Sequence, residues 1–306
     1  MILDQAGEKV LVSRRPDHVH LGGLWEFPGG KIRPGETFLT ALTRELREEL
    51  NITVNQARPL IQINHDYVEQ SVRLDVWMVT AWSGVPAGME GQEIRWVNKD
   101  ALLQLEFPEA DHPIIAAVNL PPVYGITPDL PEFGPAFFQQ LEHLLDGGLR
   151  LLQFRSKILS NTEQLLVMKK LFSRCRLRNC LLLFNGMPES NEILEFSHGI
   201  HLPSSELLNL ERRPLNSDFI IAASCHNEHE LKHAAHIGAD FAVLSPVNVT
   251  ASHPDAAPMG WQLFAKIVDA ATIPVYALGG MQVTDISIAQ SCGGQGVAMI
   301  SGLWYS

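Results

Sequence analysis

From residue 120 onward the chain repeats one pattern eight times: a short apolar run, then a stretch with helical periodicity. The runs are VYGIT (123–127), LRLLQFR (149–155), NCLLLFN (179–185), GIHLP (199–203), DFIIAAS (218–224), DFAVLSPV (240–247), PVYALGG (274–280) and GVAMIS (296–301). Continuous apolar runs are what parallel strands covered on both faces require. Stretches such as GPAFFQQLEHLL, TEQLLVMKKLF, EHELKHAAHIG and WQLFAKIVDAA fill most of the gaps with helical periodicity. Eight strand–helix units at even spacing predict a small (β/α)8 barrel over residues 123–306, ahead of a doubly wound open sheet.

The first 118 residues follow a different pattern. VLVSRR, IQINHDYV and SVRLDVWMVTAW alternate or are β-branched, as strands do, and one strong helix is expected from about Phe38 to Leu50. Two prolines in NLPPVYG mark a junction, so residues 119–122 read as a linker between an N-terminal domain (1–118) and the barrel (123–306). Neither part repeats the other. The fold class is α/β throughout.

Composition narrows the function. The net charge is −11, spread as 11 Lys+Arg against 17 Asp+Glu in residues 1–119 and 12 against 17 thereafter. Binding to duplex nucleic acid relies on clustered positive charge, which is missing here. No apolar run approaches the ~20 residues that span a bilayer, so a membrane role is not expected. MILDQAGEKV has no basic start leading into an apolar core, and Cys175, Cys180, Cys225 and Cys292 form no CxxC pair. A reduced, cytoplasmic protein is the expectation.

The predicted helix carries chemistry. Arg44, Glu45, Glu48 and Glu49 fall at i, i+1, i+4 and i+5, on one side, while Ala41, Leu42 and Leu46 can face a core. Carboxylates packed together raise one another's pKa, a cost that a divalent cation removes. Oxygen ligands suit Mg²⁺ or Mn²⁺, ions that share their shell with substrate phosphates. A solvated helix of Glu–Arg pairs would have the same spacing. What sets this one apart is the preceding turn, Gly29-Gly30-Lys31-Ile32-Arg33-Pro34-Gly35-Glu36.

These residues resemble the Nudix hydrolase box, G-x5-E-x7-R-E-U-x-E-E-x-G-U with U a bulky aliphatic. Gly30, Glu36, Arg44, Glu45, Leu46, Glu48, Glu49 and Ile52 are in register. Asn51 replaces the glycine, and Asn tolerates the left-handed backbone that a helix end often needs. Over residues 2–118 the chain looks like the MutT-type branch, which hydrolyses oxidised purine nucleoside triphosphates to monophosphate and diphosphate. Ser13-Arg14-Arg15, the run Leu24 to Ile32, Glu90-Gly91-Gln92 and Phe107 to Pro113 carry that likeness.

The resemblance implies a mixed β-sheet sandwiched by helices. It implies metal ligation by Glu45, Glu48, Glu49 and the Gly29 carbonyl, with Glu90 as a further ligand or as a general base acting on water. It implies phosphate contacts from Arg15 and Lys31, with Phe27 and Asp111 at the base. Asp111 stands where the branch has Asn or Asp, so it must be protonated or accept from a ring N–H. Arg33 stands where Glu is usual, on a turn expected to face solvent. The chain begins almost at the first hairpin, which predicts a short edge strand or a displaced start.

A second constellation sits in the barrel. Gln153, Arg155 and Lys157 alternate at the C-terminal end of strand two, the end that carries active sites in such barrels. Gly279-Gly280 after strand seven and Ser301-Gly302 after strand eight supply small residues and backbone N–H groups at positions that commonly hold phosphate.

Residues 122–303 resemble thiamine-phosphate synthase and the related TenI-type tautomerases. Tyr124 to Asp129, the Gln153/Arg155/Lys157 triplet, Asn185, Gly199 to Leu202, Ala223 to His226, Ser245 to Val247, Thr250 to Gly260, Gly279-Gly280 and Ser301 carry it. The synthase joins a pyrimidine diphosphate to a thiazole phosphate with Mg²⁺, so a phosphorylated thiamine precursor is the implied ligand. There are departures. Gly186 replaces a metal-binding Asp, Glu206 holds the second Asp position, His253 replaces a lysine, and Pro246 falls where the tautomerase has its catalytic His. The chain ends at Ser306, without the helix expected after strand eight.

His229, His233 and His236 have i, i+4, i+7 spacing, but no carboxylate or Cys completes a zinc shell, and a solvated or partner-facing stripe is expected. The reading is a Mg²⁺- or Mn²⁺-dependent nucleotide pyrophosphohydrolase carrying a divergent barrel. The alternatives are a bifunctional enzyme that also makes thiamine phosphate, and a barrel that only binds phosphate.

Overall fold

A computed structural model describes residues 1–66, 71–250 and 257–305. The chain forms two compact units, Met1–Asn119 and Leu120–Ser306.

The first unit contains β1 (Ile2–Leu3), β2 (Lys9–Arg14), β3 (Trp25–Glu26), α1 (Phe38–Leu50), β4 (Ile52–Asp66), β5 (Ser71–Gly84), β6 (Ile94–Asn98) and α2 (His112–Asn119). The sheet runs β3-β2-β1-β5-β4, with β6 also paired to β2. β1 is antiparallel to β2 and parallel to β5, so the sheet is mixed. Neighbouring strand residues point to opposite faces. Ile2, Leu11 and Val79 accordingly pack with Leu46 and Leu50 of α1, while Leu3, Val10, Val12 and Met78 pack with Ile114, Ile115 and Val118 of α2. The sheet is therefore sandwiched by helices, as expected. The strand predicted through Tyr67–Val68 is seen to Asp66; its last two residues lie outside the described residues.

The second unit is a closed parallel barrel, in chain order β7 (Val123–Ile126), β8 (Leu151–Phe154), β9 (Leu181–Asn185), β10 (Gly199–Leu202), β11 (Ile220–Cys225), β12 (Phe241–Leu244), β13 (Val275–Ala277) and β14 (Gly296–Met299). All eight expected strands are present, each shorter overall than expected, and β11 runs one residue beyond its expected end, to Cys225. The helices are α3 (Pro135–Asp146), α4 (Asn161–Leu177), α5 (Ser204–Leu207), α6 (Glu228–His236), α7 (Gly260–Val268), α8 (Ile286–Ser291) and α9 (Ser301–Trp304). Strand alternation divides the core. Tyr124, Leu151, Leu183, Phe241, Val243 and Tyr276 fill the interior, while Leu152, Phe154, Leu182 and Leu244 face the helices.

A helix of one turn, α9, follows the eighth strand, where none was expected. Its Trp304 stacks on Phe137 at 4.8 Å and donates its indole N–H to the Ile126 carbonyl at 2.7 Å, so one aromatic side chain ties α9 to α3 and β7.

Candidate functional site

In the first unit the helix carrying the acidic residues is set by its two ends. Thr37 caps the N-terminus and exchanges hydrogen bonds with Thr40. Asn51 ends α1 in the left-handed region (φ 57°, ψ 32°), as anticipated for an Asn in a glycine position. The preceding turn is closed by Gly35 at φ +85° and by the Arg33 N–H donating to Glu36 at 2.8 Å. A Cβ at Gly30 would fall on the Glu45 carboxylate and push it from its place beside Arg44.

Arg44 organises the carboxylates. Its Nε and Nη2 grip both oxygens of Glu36 at 2.6 and 2.8 Å, Nη1 reaches Glu45 at 2.6 Å and Glu48 at 3.2 Å, and Nη2 also donates to the Lys31 carbonyl at 3.1 Å. A fork of five donors suits this work as an ammonium would not. The Arg44 hydrogen bond holds the Glu36 carboxyl down at about 2. Arg33, although exposed, lies 3.3 Å from Glu48, so the residue expected to face solvent touches one of the acidic side chains.

Glu49 lies among other carboxylates. Partial burial pushes its pKa up to about 7, helped in turn by Glu45, Glu90, Glu26 and Glu48. Glu90 is exposed and brought close by a tethered loop. Ala87 N–H donates to the Leu50 carbonyl, and Met89 N–H and the Gln92 side chain donate to the Glu49 carbonyl, at 2.9–3.1 Å. Gln92 then accepts from the Glu90 N–H at 2.9 Å. The roles of Gln92 and Glu26 were not anticipated. A signal existed for Gln92, two residues beyond the expected ligand, but Glu26 becomes relevant only through β3.

Among the described residues no three Asp, Glu, His or Cys side chains close on one metal-sized point. The donors are nonetheless all hard oxygens, and the repulsion around Glu49 is what a divalent cation relieves, so the chemistry of the set fits such an ion.

The expected nucleotide contacts are placed as follows. Arg15 pairs with Glu26 and donates to the His20 carbonyl at 3.0 and 3.1 Å. Lys31 and Gly29 are exposed. Phe27 stacks on Phe107 at 5.2 Å. Asp111 is buried, and burial first, then Glu26, pushes its pKa up to about 7. A protonated acid at this position is thus accessible near neutrality.

In the second unit a cavity of about 620 Å³ opens at the C-terminal ends of the strands. Gln153, Arg155, Lys157, Asn185, Gly279, Gly280 and Ser301 all line it, which brings together strands two, three, seven and eight as anticipated. Gly280 (φ +65°) has no room for a side chain, since a Cβ would sit 2.7 Å from the Val249 carbonyl. Glu206 is not in the lining. Its carboxylate accepts from the Met187 N–H at 2.7 Å, over Gly186. His253 lies outside the described residues.

A polar chain crosses the cavity floor. Gln153 donates to the Tyr124 hydroxyl at 3.3 Å, Tyr124 meets His201 Nδ1 at 3.0 Å, and His201 Nε2 meets Ser224 Oγ at 2.8 Å. Burial, with Arg155 nearby, pushes His201 down to about 3, so its ring is neutral. The buried Tyr124 hydroxyl needs an acceptor, which Nδ1 supplies; Nε2–H then donates to Ser224, and the Ser224 hydrogen is left to face the cavity. His226 also lines the cavity, its Nδ1 on the Ser245 carbonyl at 2.9 Å, next to Pro246. The side chains of this polar chain come from β7, β8, β10 and β11, too far apart in sequence to be read as one group. His233, from the expected histidine stripe, instead caps the Leu207 and Leu210 carbonyls at 3.1 and 2.9 Å.

Residues 1–117 match a family model described as a NUDIX domain, and residues 123–303 one described as thiamine monophosphate synthase. The 8-oxo-dGTP diphosphatase of Escherichia coli (strain K12) is 35% identical over 118 residues, which is 39% of this chain and 92% of that protein. The CTP pyrophosphohydrolase of the same organism is 34% identical over 116 residues, 38% of this chain and 85% of that protein. A protein of Aquifex aeolicus (strain VF5) that carries a thiamine-phosphate synthase name is 34% identical over 184 residues, 60% of this chain and 98% of that protein.

Proposed function

Because residues 1–117 belong to the Nudix family and residues 123–303 to the thiamine monophosphate synthase family, we propose that the chain is a Mg²⁺- or Mn²⁺-dependent nucleoside triphosphate pyrophosphohydrolase joined to a phosphate-binding barrel. The substrate class is an oxidised purine triphosphate such as 8-oxo-dGTP, released as monophosphate and diphosphate. Both partners are small molecules, and no described helix is long and apolar enough to cross a membrane.

One observation carries this reading: Glu49, half-buried, sits in the combined field of Glu45, Glu90, Glu26 and Glu48. Like charges gathered at such cost call for a cation of two charges or more. Glu45, Glu48, Glu49, Glu90 and the Gly29 carbonyl would hold it. When bound, the ion polarises the phosphate chain and acidifies a bound water. Arg44, braced by Glu36, keeps Glu45 and Glu48 in place, and Glu90, exposed on its tethered loop, is available to take up a proton from solvent water. Phe27 and Phe107 offer an aromatic face, and Asp111 a donor when protonated, to the base.

The test compares wild type with Glu49→Gln on 8-oxo-dGTP and CTP, with the divalent ion titrated in. Metal-dependent release of diphosphate from 8-oxo-dGTP, lost in the variant, supports the reading. Turnover of CTP alone would redirect the base assignment, and turnover in excess EDTA would overturn the metal role. A second reading, favoured by the family of residues 123–303, is that the barrel also makes thiamine phosphate. Thiamine phosphate formed from the pyrimidine diphosphate and thiazole phosphate, and surviving Glu49→Gln, would establish it.

A further inference from the structure

We infer that the barrel cavity takes a phosphate monoester directly on its cations, with no divalent ion between ligand and protein. This rests on the reading of the barrel as a phosphate-binding unit and names the ligand class. The Mg²⁺ that the synthase family implies does not fit the residues present. Among the described residues the cavity lining contains Arg155 and Lys157 and no Asp or Glu.

The acids around the cavity are turned onto backbone donors: Asp129 accepts from the Lys157 N–H at 3.0 Å, Glu230 from the His226 N–H at 2.8 Å, and Glu206 stays outside the lining. The Glu206 carboxylate accepts from the Met187 N–H at 2.7 Å and lies over Gly186, where a Cβ would come within 3.1 Å of Glu206 Oε1. Gly186 holds φ +93°, a backbone that L side chains rarely adopt. The long Glu206 side chain thus covers the place from which a second carboxylate would project, and its own carboxylate is held by a backbone donor outside the cavity lining.

Charge balance then selects the ligand. A phosphate monoester carries about −1.5 to −2 near pH 7, which the two side-chain cations offset. A diphosphate carries more charge, and the described lining has no carboxylate to seat a divalent ion against the excess. Arg155 supplies a planar fork suited to phosphate oxygens, and Lys157 a point charge. Gly279 (φ +107°) and Gly280 (φ +65°) line the cavity with backbone alone, which a phosphate can approach. Ser224, oriented by His201, offers a hydroxyl donor to the part of the ligand beyond the phosphate.

The test is calorimetric titration of the full chain with inorganic phosphate, phenyl phosphate and diphosphate, each in EDTA and in excess Mg²⁺. Wild type and Arg155→Gln are compared, with Lys157→Gln held ready should the first variant fail to fold by circular dichroism. We expect phenyl phosphate affinity to agree within about twofold between EDTA and Mg²⁺, and to fall about tenfold or more in either variant, the scale of a lost charge-assisted hydrogen bond. Glu206→Gln should leave that affinity and its indifference to Mg²⁺ unchanged. Binding that needs Mg²⁺ and is lost with Arg155 overturns the proposal but keeps the barrel as a phosphate site. Binding that survives both variants places the anion elsewhere and overturns it too. No binding of any of the three probes removes the proposal together with the reading beneath it.

Discussion

The two units offer opposite charge to the same kind of ligand. In the first, α1 and the loop after β5 gather Glu45, Glu48, Glu49 and Glu90, and the arginine among them grips carboxylates. In the second, the described cavity lining holds two cations and no acid. An acidic surface repels phosphate until a metal reverses its sign, so ligand binding there must be tied to metal concentration. A cationic pocket needs no such intermediary. Electrostatics of opposite sign should therefore separate the units by one simple variable, the divalent ion.

The sharpest attempt to break this contrast is Glu49→Gln. Nucleotide turnover should fall by about 10²–10³-fold, the scale of losing one group that stabilises transition-state charge. Phosphate affinity of the barrel should stay within about twofold. The contrast fails if both properties fall together, or if turnover survives.

A smaller effect is expected from Arg44→Lys. The ammonium cannot span both Glu36 oxygens while reaching Glu45 and Glu48, so the carboxylates lose their brace. Because Arg44 acts through the acidic residues, metal affinity and turnover should drop about 10–100-fold, as when second-layer partners of metal ligands are removed. Raising the metal concentration should restore much of the rate. Unaltered metal dependence would show that Arg44 does not position these side chains.

Much of this was legible in the sequence. The spacing of Gly30, Glu36, Arg44, Glu45, Glu48 and Glu49 is local, and helical periodicity converts it directly into a shared face. The eight apolar runs likewise give the barrel, because strands covered on both sides leave no ambiguity of face. What could not be read depends on distant segments meeting. Glu26 faces Glu49 only because β3 pairs with β2. Tyr124, His201 and Ser224 join only when β7, β10 and β11 curl into one barrel. The turning of Glu206 onto Met187 N–H follows from the missing side chain at Gly186, a pairwise effect that a motif comparison sees as two separate substitutions. The short α9 escaped notice because four residues are too few to show a period.

Titration gives a further contrast, because one buried group in each unit responds to pH with opposite sign. His201 is buried, with a folded pKa of about 3 against 6.5 when exposed. Between these values the unfolded barrel binds a proton that the folded barrel refuses, so stability is full above pH 6.5 and falls as pH drops toward 3. Asp111 is the reverse, at about 7 in the folded unit against 3.8. Folding holds its proton, so the stability contribution is full below pH 3.8 and is lost as pH rises toward 7. Each unit shift is worth at most about 1.4 kcal/mol, so changes of a few kcal/mol bound the effect. Amide exchange followed separately in residues 1–119 and 120–305, after correction for intrinsic rates, isolates each group as the difference between wild type and variant, because the buried Met1 amine of the first unit opposes Asp111. His201→Gln should flatten a loss of protection with acid in the barrel and Asp111→Asn a loss with base in the first unit, and differences of the same sign would contradict the burial argument.

The smallest expected effect tests how the acidic cluster is held together. Asn51 leaves α1 at φ 57°, and the loop carrying Glu90 hangs from the last carbonyls of that helix through Ala87, Met89 and Gln92. An alanine at 51 must adopt the same left-handed backbone without the local hydrogen bonding that lets Asn tolerate it, at about 1 kcal/mol. Glycine has no such strain. Asn51→Gly should thus keep stability within about 0.5 kcal/mol of wild type, glycine's ease in the left-handed region offsetting its greater freedom when unfolded. Asn51→Ala should lose about 1 kcal/mol in denaturant unfolding of the first unit and a few-fold in nucleotide turnover, as the loop shifts Glu90 away from Glu49. The barrel's unfolding and its phosphate affinity should not change. If Asn51→Ala is as stable and as active as Asn51→Gly, the end of α1 does not set the position of Glu90, and the acidic cluster owes its geometry to Arg44 alone.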